Sequence, residues 1–193
     1  MKNLNYFLLI CILGFCLGCC PDKESPGLPP VTSEGKNTFA CKINGEVFVA
    51  DGSGTDTPNR GIYAVLESNF DNVGNDLPLD SCSLIILAKN SSRRLFLYIN
   101  PYLLVDGRRH YLNSRTEEYP AVVRPLNYGR IYSSGNNYIT NSVDTGSVFI
   151  TKWDQRKFII SGTFQFRAKN YLDKTDLVEV TEGRFDLDYS KTH

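Results

Sequence analysis

From Thr38 onward, apolar and polar side chains alternate along the chain. Phe39, Cys41 and Ile43 interleave with Ala40, Lys42 and Asn44. Successive side chains of a strand point to opposite faces, so a period of two marks a half-buried strand. Asn44-Gly45 then supplies the two positive-φ positions that a tight hairpin needs, and Glu46–Val49 returns. Leu84–Ala88 and Leu95–Ile99 are short apolar runs that read as buried strands, the second closed by Asn100-Pro101. Between the hairpin and these runs, Ile62, Val65, Leu66 and Phe70 have helical spacing, and Thr57-Pro58 suits a helix cap. Gly61 and Tyr63 favour a strand, and a strand is the expectation there. Ser147–Trp153 predicts another strand, with a turn at Asp154–Arg156. Phe158, Ile160, Gly162, Phe164, Phe166 and Ala168 then share one face, opposite Ile159, Ser161, Thr163, Gln165 and Arg167. Phe185, Leu187 and Tyr189 alternate with Arg184, Asp186 and Asp188 in a last strand. No long amphipathic helix and no internal repeat stands out. The expected fold is all-β, an antiparallel β-sandwich or flattened barrel of about ten strands.

The N-terminus has a different pattern. After Lys2, the run Tyr6–Gly18 is apolar throughout apart from its glycines. A span of about 13 residues matches a signal-peptide core and falls short of the roughly 20 needed to cross a bilayer. The run ends Phe15-Cys16-Leu17-Gly18-Cys19-Cys20. This resembles the lipobox of bacterial lipoproteins, in which a small residue precedes the Cys that is acylated and becomes the mature N-terminus. Gly18 places the attachment on Cys19. Cys20 is the alternative, with Leu17 three residues before it but Cys19 at the cleavage site. An acylated Cys carries several chains, enough for stable anchoring.

Residues 20–36 hold four Pro and two Gly. Pro fixes φ and donates no backbone hydrogen bond, so this stretch reads as a semi-extended tether. Asp22-Lys23-Glu24 resembles the short acidic signals that route lipoproteins of gut Bacteroidetes-type bacteria to the outer face of the outer membrane, and equally suits a plain polar linker. The expected organisation is therefore residues 1–18 as signal peptide, 19–36 as lipidated Cys and flexible linker, and 37–193 as the β domain.

Composition narrows the function. The 193 residues carry 21 basic and 21 acidic side chains, so no net charge drives the chain toward nucleic acid. Charge is nevertheless uneven. Lys89, Arg93, Arg94, Arg108, Arg109 and Arg115 are opposed over their stretch only by Asp106. On adjacent strands, Arg93, Arg94, Arg108 and Arg109 would form a patch for anionic glycans or lipid phosphates.

The motif order Gly27-Leu-Pro-Pro30, Asn37-Thr-Phe-Ala-Cys-Lys-Ile-Asn-Gly45, Gly146-Ser-Val-Phe-Ile-Thr-Lys152, Ile160-Ser-Gly-Thr-Phe-Gln-Phe166 and Thr181-Glu-Gly-Arg-Phe-Asp-Leu187 resembles a family of uncharacterised Bacteroidetes lipoproteins, grouped as a domain of unknown function. The resemblance spans most of the mature chain and is weakest from about Asp51 to Asn141. It implies a β-rich envelope lipoprotein and supplies no functional residues.

Catalytic chemistry has little to work with. His110 stands alone between Arg109 and Tyr111, and His193 is the last residue, so a His-based metal site or triad lacks its parts. No cofactor motif is present. Asp186 and Asp188 share one face of a strand at about 7 Å, a spacing compatible with paired carboxylates in a glycosidase. Their face is expected to be solvated. Glu117-Glu118 project oppositely if extended. Cys41 and Cys82 remain in the domain with two readings, an export-compartment disulfide or two buried thiols. Trp153, Tyr128, Tyr132 and Tyr138 offer rings for sugar stacking or for core filling. Gly162 suggests a bulge or a close backbone approach, and Gly183 a turn between the last two strands.

The expected function is that of a non-catalytic binding or interaction module, lipid-anchored in the outer membrane on its periplasmic or cell-surface face. It would hold a glycan or an envelope protein, and no nucleic acid. The alternatives are a small-ligand carrier in a closed barrel, with Gly162 and Ala168 leaving room inside, and a carboxylate-dependent glycan hydrolase.

Overall fold

A computed structural model describes residues 26–51, 61–68, 82–99, 107–113 and 127–190. Eleven antiparallel strands form one curled sheet, and no helix occurs among the described residues. They are β1 (Thr38–Ile43), β2 (Glu46–Val49), β3 (Ile62–Ser68), β4 (Cys82–Lys89), β5 (Arg93–Ile99), β6 (Arg108–Leu112), β7 (Tyr128–Ser133), β8 (Asn136–Ile139), β9 (Gly146–Asp154), β10 (Ile159–Asn170) and β11 (Leu177–Asp188). The main path runs β2-β1-β11-β10-β8-β7-β5-β4-β3. The other edge of β10 divides, pairing with β9 over Ile159–Phe166 and with β8 at Lys169 and Asn170. β6 adds to β9.

The two ends of the path meet through backbone and charge. The Asp51 amide, just past β2, donates to the Lys89 carbonyl at 3.0 Å, and the Lys89 amide donates to the Gly61 carbonyl at 2.6 Å. Arg93 at the start of β5 pairs with Glu46 at the start of β2. These contacts curl the sheet around a core that includes Phe39, Phe48, Phe185, Leu84, Ile86, Leu95, Leu97, Ile131 and Ile150. Burying one such side chain stabilises by about 1.5–3 kcal/mol.

Local chemistry explains the joints. Asn44 and Gly45 have φ of 50° and 82°, as the hairpin signal requires. Ser134 and Gly135 repeat this conformation between β7 and β8, at 51° and 81°. The segment with helical spacing is strand β3, paired with β4 over its whole length. Phe158 departs from the expected alternation. It sits in the β9–β10 turn with φ 56°, is exposed, and packs its ring on Tyr189. Gly183 also departs from expectation, since it lies inside β11 rather than at a turn. A β-bulge at Glu182, with φ 53°, shifts the register of β11 against both β1 and β10.

The largest departure concerns the expected linker. From Gly27 to Lys36 the chain is a strap across the outer face of the sheet. Gly27 packs on Val47 of β2. The Pro29 carbonyl accepts from Arg184 at 3.0 Å, and the Ser33 carbonyl from Lys152 at 2.9 Å. The strap ends on Asp186, which is 1% exposed. Its carboxylate accepts from the Thr32 hydroxyl at 2.6 Å, the Glu34 amide at 2.9 Å, the Gly35 amide at 2.7 Å and the Lys36 amide at 3.3 Å. The Ser161 hydroxyl adds a fifth bond at 2.8 Å. The face of β10 and β11 expected to be solvated is thus covered there. Ser161 and Ile159 are buried beneath the strap.

Candidate functional site

The outer face of β3, β4, β5 and β7 carries rings and aliphatic side chains beside a few cations, although it points away from the core. The inner positions Leu95, Leu97 and Ile99 are buried as expected, and Ile131, register partner of Leu95 on β7, is buried with them. The alternate positions of the same strands carry rings and aliphatic groups where solvated strands usually place polar residues. Register sets them in rows. One row reads Tyr63, Leu87, Phe96, Arg130 and the next reads Val65, Ile85, Tyr98, Tyr128. All eight are partly exposed.

The rings have defined geometry. Tyr98 and Tyr128 stack with centroids 5.2 Å apart and planes 3° from parallel. Phe96 meets Tyr132 edge-on at 5.7 Å. The Arg130 guanidinium lies 4.6 Å from the Tyr132 ring centre, and its Nε donates to the Asn137 side-chain oxygen at 2.7 Å. Burial pushes the Tyr128 phenol above its ordinary pKa; Arg130 opposes that, and Tyr98 and Tyr132 add to it. The phenol is therefore neutral at physiological pH and able to donate a hydrogen bond. Flat rings with polar rims on a rigid sheet can cover the C–H face of a sugar while bonding its hydroxyls.

Of the expected stacking residues, Tyr128 and Tyr132 come together here. Tyr138 does not, being buried with its hydroxyl donating to Asp176 at 2.7 Å. Trp153 lies elsewhere, its indole N–H donating to the Tyr189 hydroxyl at 3.1 Å. Sequence reasoning missed Phe96 and Tyr98. The signal for them was the parity of Arg94, Phe96 and Tyr98 against Leu95, Leu97 and Ile99, within a run read as simply buried.

The expected anion patch is divided. Arg93 and Arg94 line an open cavity of about 610 Å³ between the β4–β5 and β7–β8 hairpins. Arg109 lines a different one of about 540 Å³ with Gln165, Arg167 and Glu179, and donates to the Ser147 hydroxyl at 3.0 Å. Arg108 lines neither of these cavities. β5 and β6 are not neighbours, because β6 hangs on the β9 branch of the sheet.

The other candidate residues have structural partners. Asp186 is saturated by the strap. Burial raises its pKa, but the bonds from Thr32, Glu34, Gly35 and Ser161 outweigh that and hold it below the usual aspartate value. Asp188 accepts from the amide and hydroxyl of Ser190 at 2.9 and 2.6 Å. This pair therefore does not face a cleft together. Glu117 and Glu118 lie outside the described residues, as do Cys19, Cys20 and the run before them. His110 is buried on β6, and its Nε2 has no hydrogen-bond partner among the described residues. Burial, then Arg108, push its pKa down. Cys41 is a free thiol, fully buried, and so is not bridged to Cys82 in this structure. Burial pushes it up to about 12, against a smaller pull from Arg93. Cys82 opens β4, roughly 23 Å of strand away from Lys89, while Arg93 lies just past the Lys89 end. The space expected beside Gly162 is filled by the Phe185 ring, and Ala168 is fully buried. Among the described residues no group of three His, Cys, Asp or Glu converges to hold a metal ion.

The fold and face define a β-sheet module with an aromatic outer platform. No family model, no curated protein and no solved structure matches this chain.

Proposed function

We propose that this protein is a non-catalytic glycan-binding lipoprotein of the bacterial envelope, anchored to the outer membrane through Cys19. The observation that carries the binding reading is the aromatic face of β5 and β7, where Phe96, Tyr98, Tyr128 and Tyr132 present rings in three successive rows. Partly exposed rings on an outer sheet face cost solvation unless something covers them. The C–H face of a pyranose is a flat partner of suitable size. The anchor rests on the order of apolar run, Gly18-Cys19 and Pro-rich segment in the sequence.

The test is retention of the detergent-solubilised full chain on an array of polysaccharides and oligosaccharides. Tyr132→Ala and Tyr98→Ala should each weaken binding about tenfold, near 1.4 kcal/mol. Melting curves would confirm that the variants fold. Binding indifferent to both substitutions, or turnover of the bound glycan, would sink the reading.

A further inference from the structure

The aromatic platform runs into a cationic cavity. One residue pair beyond Phe96, the outer row continues as Lys89, Arg94, Tyr132 and Asn137 across β4, β5, β7 and β8. Tyr132 belongs to both features: its ring meets Phe96 on the platform, and it lines the 610 Å³ cavity. The two hairpin tips, together with Asp51 and Gly61, complete the walls.

Among the described residues, the charges lining this cavity are Lys89, Arg93 and Arg94 against one carboxylate, Asp51. Arg93 is committed to Glu46. Arg94 differs. Its side chain is exposed, shares the face of Phe96 and Tyr98, and makes no hydrogen bond or ion pair among the described residues. Its guanidinium can bind a planar or tetrahedral oxyanion through two parallel N–H donors. The hydroxyls of Ser91, Ser133 and Ser134 stand on the same walls as further donors.

We propose that this cavity receives the anionic group of a sugar whose ring lies on Tyr132, so that the ligand is an acidic glycan bearing a carboxylate, sulfate or phosphate. This rests on the platform reading above and adds the ligand's charge. Ring and anion would be read side by side, the ring by the platform and the anion by Arg94. Because Arg94 is exposed, the attraction weakens with salt.

The experiment uses the full chain in detergent on an array with neutral, uronate-bearing, sulfated and phosphorylated glycans, and inorganic phosphate as competitor. The variants are Arg94→Ala and Arg94→Lys, both checked by thermal melting. The expected result is retention of acidic glycans, lowered about tenfold by Arg94→Ala and partly restored by Arg94→Lys. Binding to neutral glycans should be unchanged by either. The arm retained names the anion, and displacement by phosphate alone would place recognition in the anion rather than the sugar. Binding confined to neutral glycans, or acidic binding indifferent to Arg94→Ala, overturns the cavity assignment and leaves the platform standing. No retention on any arm overturns both.

Discussion

Phe185 lies over Gly162 so closely that a Cβ there would come within 2.7 Å of the ring's Cζ. The two are register partners across β10 and β11, and the pairing is reciprocated two residues on, where Phe164 lies over Gly183. Each ring fills the space that the missing side chain leaves. Gly162 is also 2.5 Å, measured from the same Cβ position, from the backbone oxygen of Phe149, which cannot rotate away. Gly162→Ala should therefore cost about 2–3 kcal/mol through overpacking. In a chain of this size the melting temperature should fall by roughly 5–10 °C. Trimming the ring as well, in Gly162→Ala with Phe185→Leu, should not restore stability, because the Phe149 carbonyl remains. A melt of the single variant that matches the parent would mean that the strands separate at no cost, contrary to the packing.

Asp186 is the latch of the strap. Removing the carboxylate strands its donors, and Asp186→Ala should cost about 3 kcal/mol, against about 1 for Ser161→Ala, which removes one bond of five. The bonds hold the folded pKa below the ordinary value of 3.8. A depressed carboxylate contributes its full stability above the unfolded pKa and loses it as pH falls through the folded one. The strap should stay shut at pH 5–7 and open only in stronger acid. Limited digestion after Glu34 reads this directly: slow in the parent, fast in Asp186→Ala at neutral pH. On the reading that Cys19 carries the anchor, the latch also sets reach. Seven residues lie between Cys19 and Gly27, roughly 25 Å when extended, against seventeen and roughly 60 Å if the strap is free. Equal cleavage rates in parent and variant would show that Asp186 does not hold the strap.

The strap explains what the sequence concealed. Period-two alternation located β1, β10 and β11, because each needs one face inside, while β5 showed as a short apolar run. It assigned Asp186 to solvent for the same reason, and set Ser161 on the face opposite the β10 rings. Asp186 is covered by residues 150 to 154 positions earlier, a long-range contact that local pattern does not encode. Pro29, Pro30 and Gly35 looked like a loose tether, yet the same residues suit an extended strap without strand pairing. The platform was half legible. Tyr128 and Tyr132 stood out as rings, but only the register of β5 against β7 aligns them with Phe96 and Tyr98. The arginines were visible as a cluster in sequence, and the branching of the sheet at β10 separates them.

His110 should make the fold sensitive to mild acid. Burial and Arg108 lower its pKa from 6.5, so the folded chain keeps it neutral while the unfolded chain takes up a proton. The unfolded state then binds more protons as pH falls through that range, and stability falls with it. The parent should melt lower at pH 5 than at pH 8. His110→Leu keeps the volume and removes both the proton site and the unpartnered Nε2, so the difference between the two pH values should shrink. An unchanged difference would assign the acid sensitivity to other groups.

Cys41 should be inert. Its thiol is wholly buried and pushed up to about 12, so almost no thiolate exists at neutral pH, and the thiolate is the reactive form. Iodoacetamide should leave Cys41 unmodified in the native protein for hours at pH 7.5 and label it promptly in denaturant. Cys41→Ser should lower stability by about 1–3 kcal/mol, since it places a hydroxyl among Phe39, Phe48 and Ile43 without a partner, whereas Cys41→Ala loses only the sulfur's packing and should cost less. The same samples decide the cross-link. With Cys41 free, reduction of the unfolded chain, exported and kept oxidising, should not release a thiol at Cys41. A gain of one labelled Cys41 per chain on reduction would show that the exported protein bridges it, and that the curl must bring another cysteine to β1.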